Sequence, residues 1–522
     1  MNAEKSTTEL VAAARNGTIG FAGSVVAALA GLLLNVIVGR SLGPAASGTF
    51  FVVVAVITVA TTAGKMGADT GLVWALPRAR VLSRFGDFHQ TINIAVIPAA
   101  VISGLLAIGC YVGATPLARA LVDNGSADQT ADLLRIAAPF ILCAGPALVL
   151  IGGLRGAGGI GAYVVVQNFA LAGLRTLLVA VAVLAGTGLL GAMWAWCSPF
   201  LVVLVLARFI LRRMVSAAVS TSAPSAPRPR ALVTREFWTF SAGRALSSVL
   251  EIAIVWADVL IVAALTGSRE AGIYAAASRF VTTGTLVEAS LRIAMGPELS
   301  SRLVVHDLAS ATALVSITTQ WIILLSWPLY IALAIYAPVL LGVFGKGFQD
   351  GAGALAILSV AMLASMAIGN SQTVLLMSGR SVWQMGNKAA ALTANIALNF
   401  ALVPRWGILG AATAWAVTIL VDSAAVLWEV RHLVGLKLSL APLVNAMLFG
   451  SMTFAAVGLI IREIIGLNVF TACAGIAVSL AIHALLLRWR REQFHLGLLR
   501  SALRRRPLID PEPPVLTERH TL

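Results

Sequence analysis

The sequence predicts an all-α polytopic membrane protein, on three observations. Of its 522 residues, 59% are hydrophobic and only 11% charged, and the mean hydropathy is +0.92. Soluble domains average about 25% charged residues, so lipid is the solvent for most of this chain. Apolar runs long enough to cross a hydrocarbon core of about 30 Å recur along nearly its whole length. Charge is also unevenly placed: 37 Lys and Arg against 22 Asp and Glu leave a net charge of +15, and the cations crowd into alternate loops. A segment in lipid must satisfy its own backbone, which makes each of these runs a helix.

About fourteen spans follow, near 18–40, 48–76, 91–113, 133–153, 163–186, 189–211, 237–265, 271–296, 310–341, 352–378, 382–402, 408–430, 440–461 and 467–488. The first six make a lobe over 1–213. The segment 214–236 contains Ser-Ala-Pro-Ser-Ala-Pro-Arg-Pro-Arg, a composition that makes a solvated, partly extended linker. Six further spans make a second lobe over 237–436, two extra spans occupy 437–488, and 489–522 form a basic tail. The halves resemble each other. Leu42-Gly43 through Gly48-Thr49-Phe50 aligns with Thr266-Gly267 through Gly272-Ile273-Tyr274 at an offset of 224 residues. Gly188 to Ala192 aligns with Gly407 to Ala411 at an offset of 219. Repeats with an even number of spans share one orientation, and a substrate site then lies between the two lobes.

The loop cations orient the chain. One side holds Arg78, Arg80, Arg84, Arg155, Arg212, Arg213, Arg228, Arg230, Arg235, Arg302, Arg380, Lys388, Arg431 and Lys437, with the tail arginines. The other holds scattered residues such as Arg40, Arg119, Arg135 and Lys346. By the positive-inside rule both termini are cytoplasmic, in the cytoplasmic (inner) membrane, and the basic balance reports topology rather than a nucleic-acid partner. The tail interleaves arginines with Trp489, Phe494, Leu498, Leu499 and Leu503, the pattern of a basic helix on an anionic leaflet.

Enzyme signatures are poor. There is no Gly-x-x-x-x-Gly-Lys-Ser/Thr loop, no His-x-x-x-His pair, and no outer loop beyond about two dozen residues to house a catalytic domain. The four cysteines sit singly inside apolar runs and read as packing residues. No catalytic residue, metal or cofactor is expected. The residues that stand out are intramembrane charges, each costing about 2.5–3.5 kcal/mol at the bilayer centre if it faces lipid. Arg244, Glu251 and Asp258 recur every seven residues on the seventh span, a narrow helical stripe with steps of about 10 Å. Arg279, Glu288 and Arg292 lie on the eighth, Lys65 and Asp69 at i, i+4 on the second, Arg175 on the fifth and Asp422 on the twelfth. Either they neutralise one another as ties between helices, or they line a hydrated path.

Val38-Gly39-Arg40-Ser41-Leu42-Gly43-Pro44 with Ser47-Gly48-Thr49-Phe50 resembles the first-loop motif of bacterial polysaccharide flippases. These belong to the multidrug/oligosaccharidyl-lipid/polysaccharide exporter (MOP) superfamily. Asp258-Val259-Leu260-Ile261, Gly272-Ile273-Tyr274 and Ala277-Ser278-Arg279 resemble its seventh and eighth spans. The resemblance implies an alternating-access flippase for undecaprenyl-diphosphate-linked oligosaccharide in surface polysaccharide assembly. Arg244, Arg279, Arg175 and Lys65 would then contact phosphate or acidic sugar, and Glu251, Asp258 and Glu288 sugar hydroxyls or a coupling cation. Sodium or proton coupling is left open. Lipid-linked glycan, membrane lipids and polysaccharide assembly enzymes are the partners implied. Lipid II flipping and export of small cations are the alternatives inside the superfamily. A glycan polymerase or a non-transporting scaffold are those outside it.

Overall fold

The computed structural model describes residues 2–220, 226–378, 380–436 and 440–494. All regular structure among them is helical. The first half comprises α1 (Asn2–Gly64), α2 (Ala68–Val81), α3 (Asp87–Val112), α4 (Ala114–Leu121), α5 (Asn124–Gly156) and α6 (Ile160–Val164). It continues through a π-helical stretch (Val165–Gly173), α7 (Leu174–Leu184), α8 (Gly188–Cys197) and α9 (Pro199–Ser220). The second half comprises α10 (Arg230–Thr266), α11 (Ser268–Thr283), α12 (Leu286–Val304), α13 (Leu308–Ile335), α14 (Ala337–Gly342), α15 (Ala352–Ala367), α16 (Ser371–Met377) and α17 (Ser381–Glu429). The last segments are α18 (Leu440–Ser451), a π-helical turn (Met452–Ala456), α19 (Val457–Ile464) and α20 (Val469–Trp489).

Eleven helices among the described residues are long and apolar enough to cross a membrane. One, Ala22–Val81, has 60 residues, about 90 Å if straight, and must fold back. It does so at Gly43 (φ 76°, ψ 173°), a conformation open to glycine, with Pro44 starting the next helix where no N–H is needed. Ser47 Oγ then donates to Val38 O at 3.2 Å across the bend. In α17 the break is at Gly407 (φ 55°), and Gly410 packs on the Leu402 carbonyl. The expected second span is split at Met66 and Gly67, both left-handed, and the eighth is divided into α11 and α12.

Two seams join the halves. Gly48 of α1 lies directly against Ser268 and Gly272 of α11, where a side chain on either glycine meets backbone. Towards the arginine-rich face, Gly67 lies on the backbone of Ser241, Arg244 and Ala245, and Gly71 on Ser241 and Phe237. The last helices pack on α13 through His483, whose ring nitrogens lie 2.8 Å from Thr453 Oγ1 and 3.0 Å from Leu324 O.

Three local expectations change. The linker expected over 214–236 is invaded from both ends, since α9 runs to Ser220 and α10 starts at Arg230. Lys388, counted among the loop cations although it falls in the expected span 382–402, is inside α17. Phe494, expected on a membrane surface, is 1% exposed, with its carbonyl accepting from Trp321 Nε1 at 3.0 Å. The rest of the tail, 495–522, lies outside the described residues.

Candidate transport site

The charges of the seventh and eighth spans diverge in three dimensions. Asp258 turns inward and is 3% exposed, whereas Glu251, two turns earlier, is exposed and Arg244 half-buried. Seven residues fall only slightly short of two helical turns, so the stripe is nearly straight, and what varies along it is the neighbouring helix. Tyr274 Oη of α11 donates to Asp258 Oδ2 at 3.0 Å and Asn399 Nδ2 of α17 to Oδ1 at 2.8 Å.

Asp258 opens on a cavity of about 200 Å³ within the second half. Its polar lining is Asp258, Tyr274, Ser278, Arg279, Lys388, Asn395, Thr418 and Asp422. The Arg279 guanidinium lies 4.1 Å from the centre of the Trp256 ring, a cation–π contact that shields the charge from lipid. At the other end Lys388 Nζ meets Asp422 Oδ2 at 2.9 Å, and Gln372 Nε2 donates to the same oxygen at 3.1 Å. Beyond it, Asn387 Nδ2 donates to buried Glu429 at 2.7 Å. The side-chain oxygens of Asn395 and Asn399 are buried without a partner. Asn395 lines the cavity beside Asp258, whereas Asn399 meets Asp258 through its amide nitrogen. No group of three His, Cys, Asp or Glu that would hold a multivalent metal occurs among the described residues.

Lys65 and Asp69 pair at 2.7 Å, across the break at Met66 and Gly67 rather than along one helix as their i, i+4 spacing predicts. The turn between them presses on the Arg244 backbone, which brings three of the sequence candidates together at the seam. Asp69 Oδ1, Ser241 Oγ and Arg244 Nε are buried there without partners. Arg175 is apart from both groups. Its Nε donates to Trp196 O at 3.0 Å, its guanidinium lies 4.0 Å from the Trp196 ring, and Nη2 has no partner. It follows the π-helical stretch, a distortion common at functional sites. Glu288 is half-buried near the start of α12, and Arg292 is exposed. Lys388 and Tyr274 are the cavity residues that sequence reasoning missed. Lys388 looked like a loop cation, and its seven-residue spacing from Asn395 was the available signal.

Known proteins place the fold. Among curated proteins none matches this chain in sequence. A solved structure of the lipid II flippase MurJ, inward closed, is similar with a TM-score of 0.67 at 10% identity, over 90% of this chain and 99% of that one. An inward-facing multidrug-resistance MATE transporter of the MOP superfamily gives 0.64 at 16% identity, over 78% of this chain and 94% of that one. A MOP-superfamily transporter from Pyrococcus furiosus, described as having a binding pocket of reverse polarity, gives 0.54 at 16%, over 82% and 96%. These likenesses show the multi-pass fold shared by the superfamily's transporters and flippases. The family model described as "Polysaccharide biosynthesis protein" matches residues 13–301, more than half of the chain, and the chain belongs to that family.

Proposed function

We propose that this protein flips a polyprenyl-diphosphate-linked oligosaccharide from the cytoplasmic to the outer face of the inner membrane by alternating access. In this reading the chain makes fourteen passes, as two six-helix lobes with two additional helices, and both termini are cytoplasmic. The observation that carries the proposal is the burial of unpartnered polar atoms at the seam of a polysaccharide-biosynthesis protein, around Lys65, Asp69 and Arg244. Unpaired polar groups in hydrocarbon cost several kcal/mol each, so a seam that keeps them is built to be wetted when the lobes part. Exposed Glu251 extends this path along α10, and Arg175 supplies a further guanidinium in the first lobe. A sugar headgroup crosses beside these groups while its lipid tail stays in the bilayer.

The cavity around Asp258 plays a different part. It is enclosed within one lobe and its volume suits water and a small ion rather than an oligosaccharide. It is the place for a coupling cation, held by Asp258 with Asn395 and Asn399. One charge moving through 100 mV contributes about 2.3 kcal/mol to such a cycle.

The test is flipping of a fluorescent lipid-linked oligosaccharide in vesicles containing the purified protein. Arg244→Ala is expected to stop flipping with or without an ion gradient. Asp258→Asn is expected to abolish only the gradient-driven accumulation. Equal flipping by parent and Arg244→Ala protein sinks the seam assignment. Export of small cations at rates unrelated to glycan would favour the alternative transporter reading.

A further inference from the structure

A second polar site lies on the arginine-rich face, where α2, the linker and α10 meet. Trp74 and Phe240 stack there, ring centroids 4.8 Å apart and 9° from parallel, one from each half of the chain. Around this apolar floor are Arg78, Arg228, Leu232, Arg235, Glu236 and Thr239, enclosing an open groove of about 700 Å³. Arg84 and Asp87 line a smaller adjoining pocket that shares Trp74, Arg78, Arg228 and Glu236 with the groove.

The wiring of the groove is specific. Arg228 Nε donates to Asp87 Oδ2 at 2.6 Å, and its backbone N–H to Oδ1 at 2.8 Å, which pins the linker to the first half. Glu236 then bridges two guanidiniums: Oε2 is 3.1 Å from Arg228 Nη1, and Oε1 is 3.7 Å from Arg78 Nε. A carboxylate held between two arginines occupies the position a phosphate would take. The Arg78 contact is long and 56% of that side chain is exposed, so it is the exchangeable arm. Arg235 is exposed with no carboxylate partner among the described residues. Three arginines and Glu236 thus line the groove beside an aromatic wall.

We propose that this groove is a diphosphate-binding site, at which the headgroup end of a polyprenyl-linked glycan docks before the lobes part. The inference rests on the flippase reading for its ligand. The diphosphate displaces Glu236 from Arg78 and takes up Arg235, and the first isoprene units lie on Trp74, Phe240 and Leu232. Because Glu236 also ties the linker to α10, docking loosens the seam from the face where substrate arrives.

The test is equilibrium binding of radiolabelled farnesyl diphosphate to the full chain in phosphatidylcholine nanodiscs, with farnesol as control. Arg78→Gln combined with Arg235→Gln is expected to weaken diphosphate binding at least tenfold and leave farnesol unchanged. Glu236→Gln is expected to tighten it several-fold, since the internal competitor is gone. Opposite signs in neighbouring residues are not what a folding defect produces. Unchanged affinity in the double variant overturns the site. So does loss of farnesyl diphosphate binding when phosphatidylglycerol replaces phosphatidylcholine, which would make the groove a bulk-lipid contact. If binding follows the expected order while Arg244→Ala still flips glycan normally, the groove stands and the seam assignment falls.

Discussion

Asp258 and Asp422 face one cavity with different company, and their substitutions should separate. Asp422 is 8% exposed and its charge is balanced by Lys388. Removing one partner of such a pair strands the other, at about 3 kcal/mol for a buried case. Lys388→Met is therefore expected to lower the thermal midpoint clearly in detergent, and Lys388→Met with Asp422→Leu to recover most of it. Asp258 has amide and phenol donors but no cation beside it, so Asp258→Asn should unfold at nearly the parent temperature. Arg279→Lys tests a third chemistry at the same wall. A lysine keeps the charge but loses the planar stack on Trp256, and surface glycan in a deletion strain is expected to fall about tenfold with insertion unchanged.

Helix pairs carry the gating predictions, because the two seams use backbone contact in place of side chains. A methyl group on Gly272 would meet the Pro44 carbonyl and Gly48. Gly272→Val is expected to hold α1 and α11 apart, and a cysteine at Thr49, a residue 1% exposed in the closed seam, to become open to an impermeant maleimide. The same seam has a polar latch: Asp123 Oδ1 accepts from the Ser268 N–H at 3.2 Å and from Ser268 Oγ at 3.3 Å, capping the start of α11. Burial pushes the Asp123 carboxyl up, but the hydrogen bonds from Ser268 and Ser126 outweigh it and hold the group below its ordinary value. A lowered value means the latch is complete above the ordinary pKa of about 3.9 and is lost as pH falls through the lowered one. Separation of spin labels placed across this seam should therefore rise on acidification below about pH 4, and Asp123→Asn should show the raised separation at neutral pH. On the opposite face, Asp87 raises the Arg228 guanidinium above its ordinary value, so that clamp stays closed throughout the physiological range.

For the whole molecule, the proposed division of labour is spatial: a headgroup path between halves, a coupling-ion cavity lined by one half and a diphosphate groove on one face, each as proposed above. In the proposed topology the arginine-rich face is cytoplasmic, and fusion reporters at the linker and at the tail are expected to read the same, cytoplasmic side. The last helices attach to α13 by apolar contact and by the His483 bonds. Lipid tails are as apolar as the side chains they would replace, so a chain ending after residue 436 is expected to insert, with its stability lowered. Glycosyltransferases and a polymerase encoded beside this gene would support the glycan assignment, whereas cell-division genes would point to lipid II.

Composition and the length of the apolar runs determined that this is a many-helix membrane protein, because a continuous apolar run of about 20 residues satisfies its polar backbone in lipid only as a helix, whereas barrel strands alternate. The sequence ended spans near Gly43-Pro44 and Gly407, where the structure puts the reversals, since glycine and proline preferences are local. The Lys65–Asp69 pair was legible because its partners are four residues apart, although a left-handed turn at Met66 and Gly67, not a continuous helix, brings them together. What the sequence could not determine is which helix stands opposite each charge. Lys388 acquires Asp422 from 34 residues away and Asp258 acquires Asn399 from 141 away. Those partners are set by how helices pack, and tertiary structure alone divided a straight stripe of charges into a cavity wall, a seam residue and an exposed one.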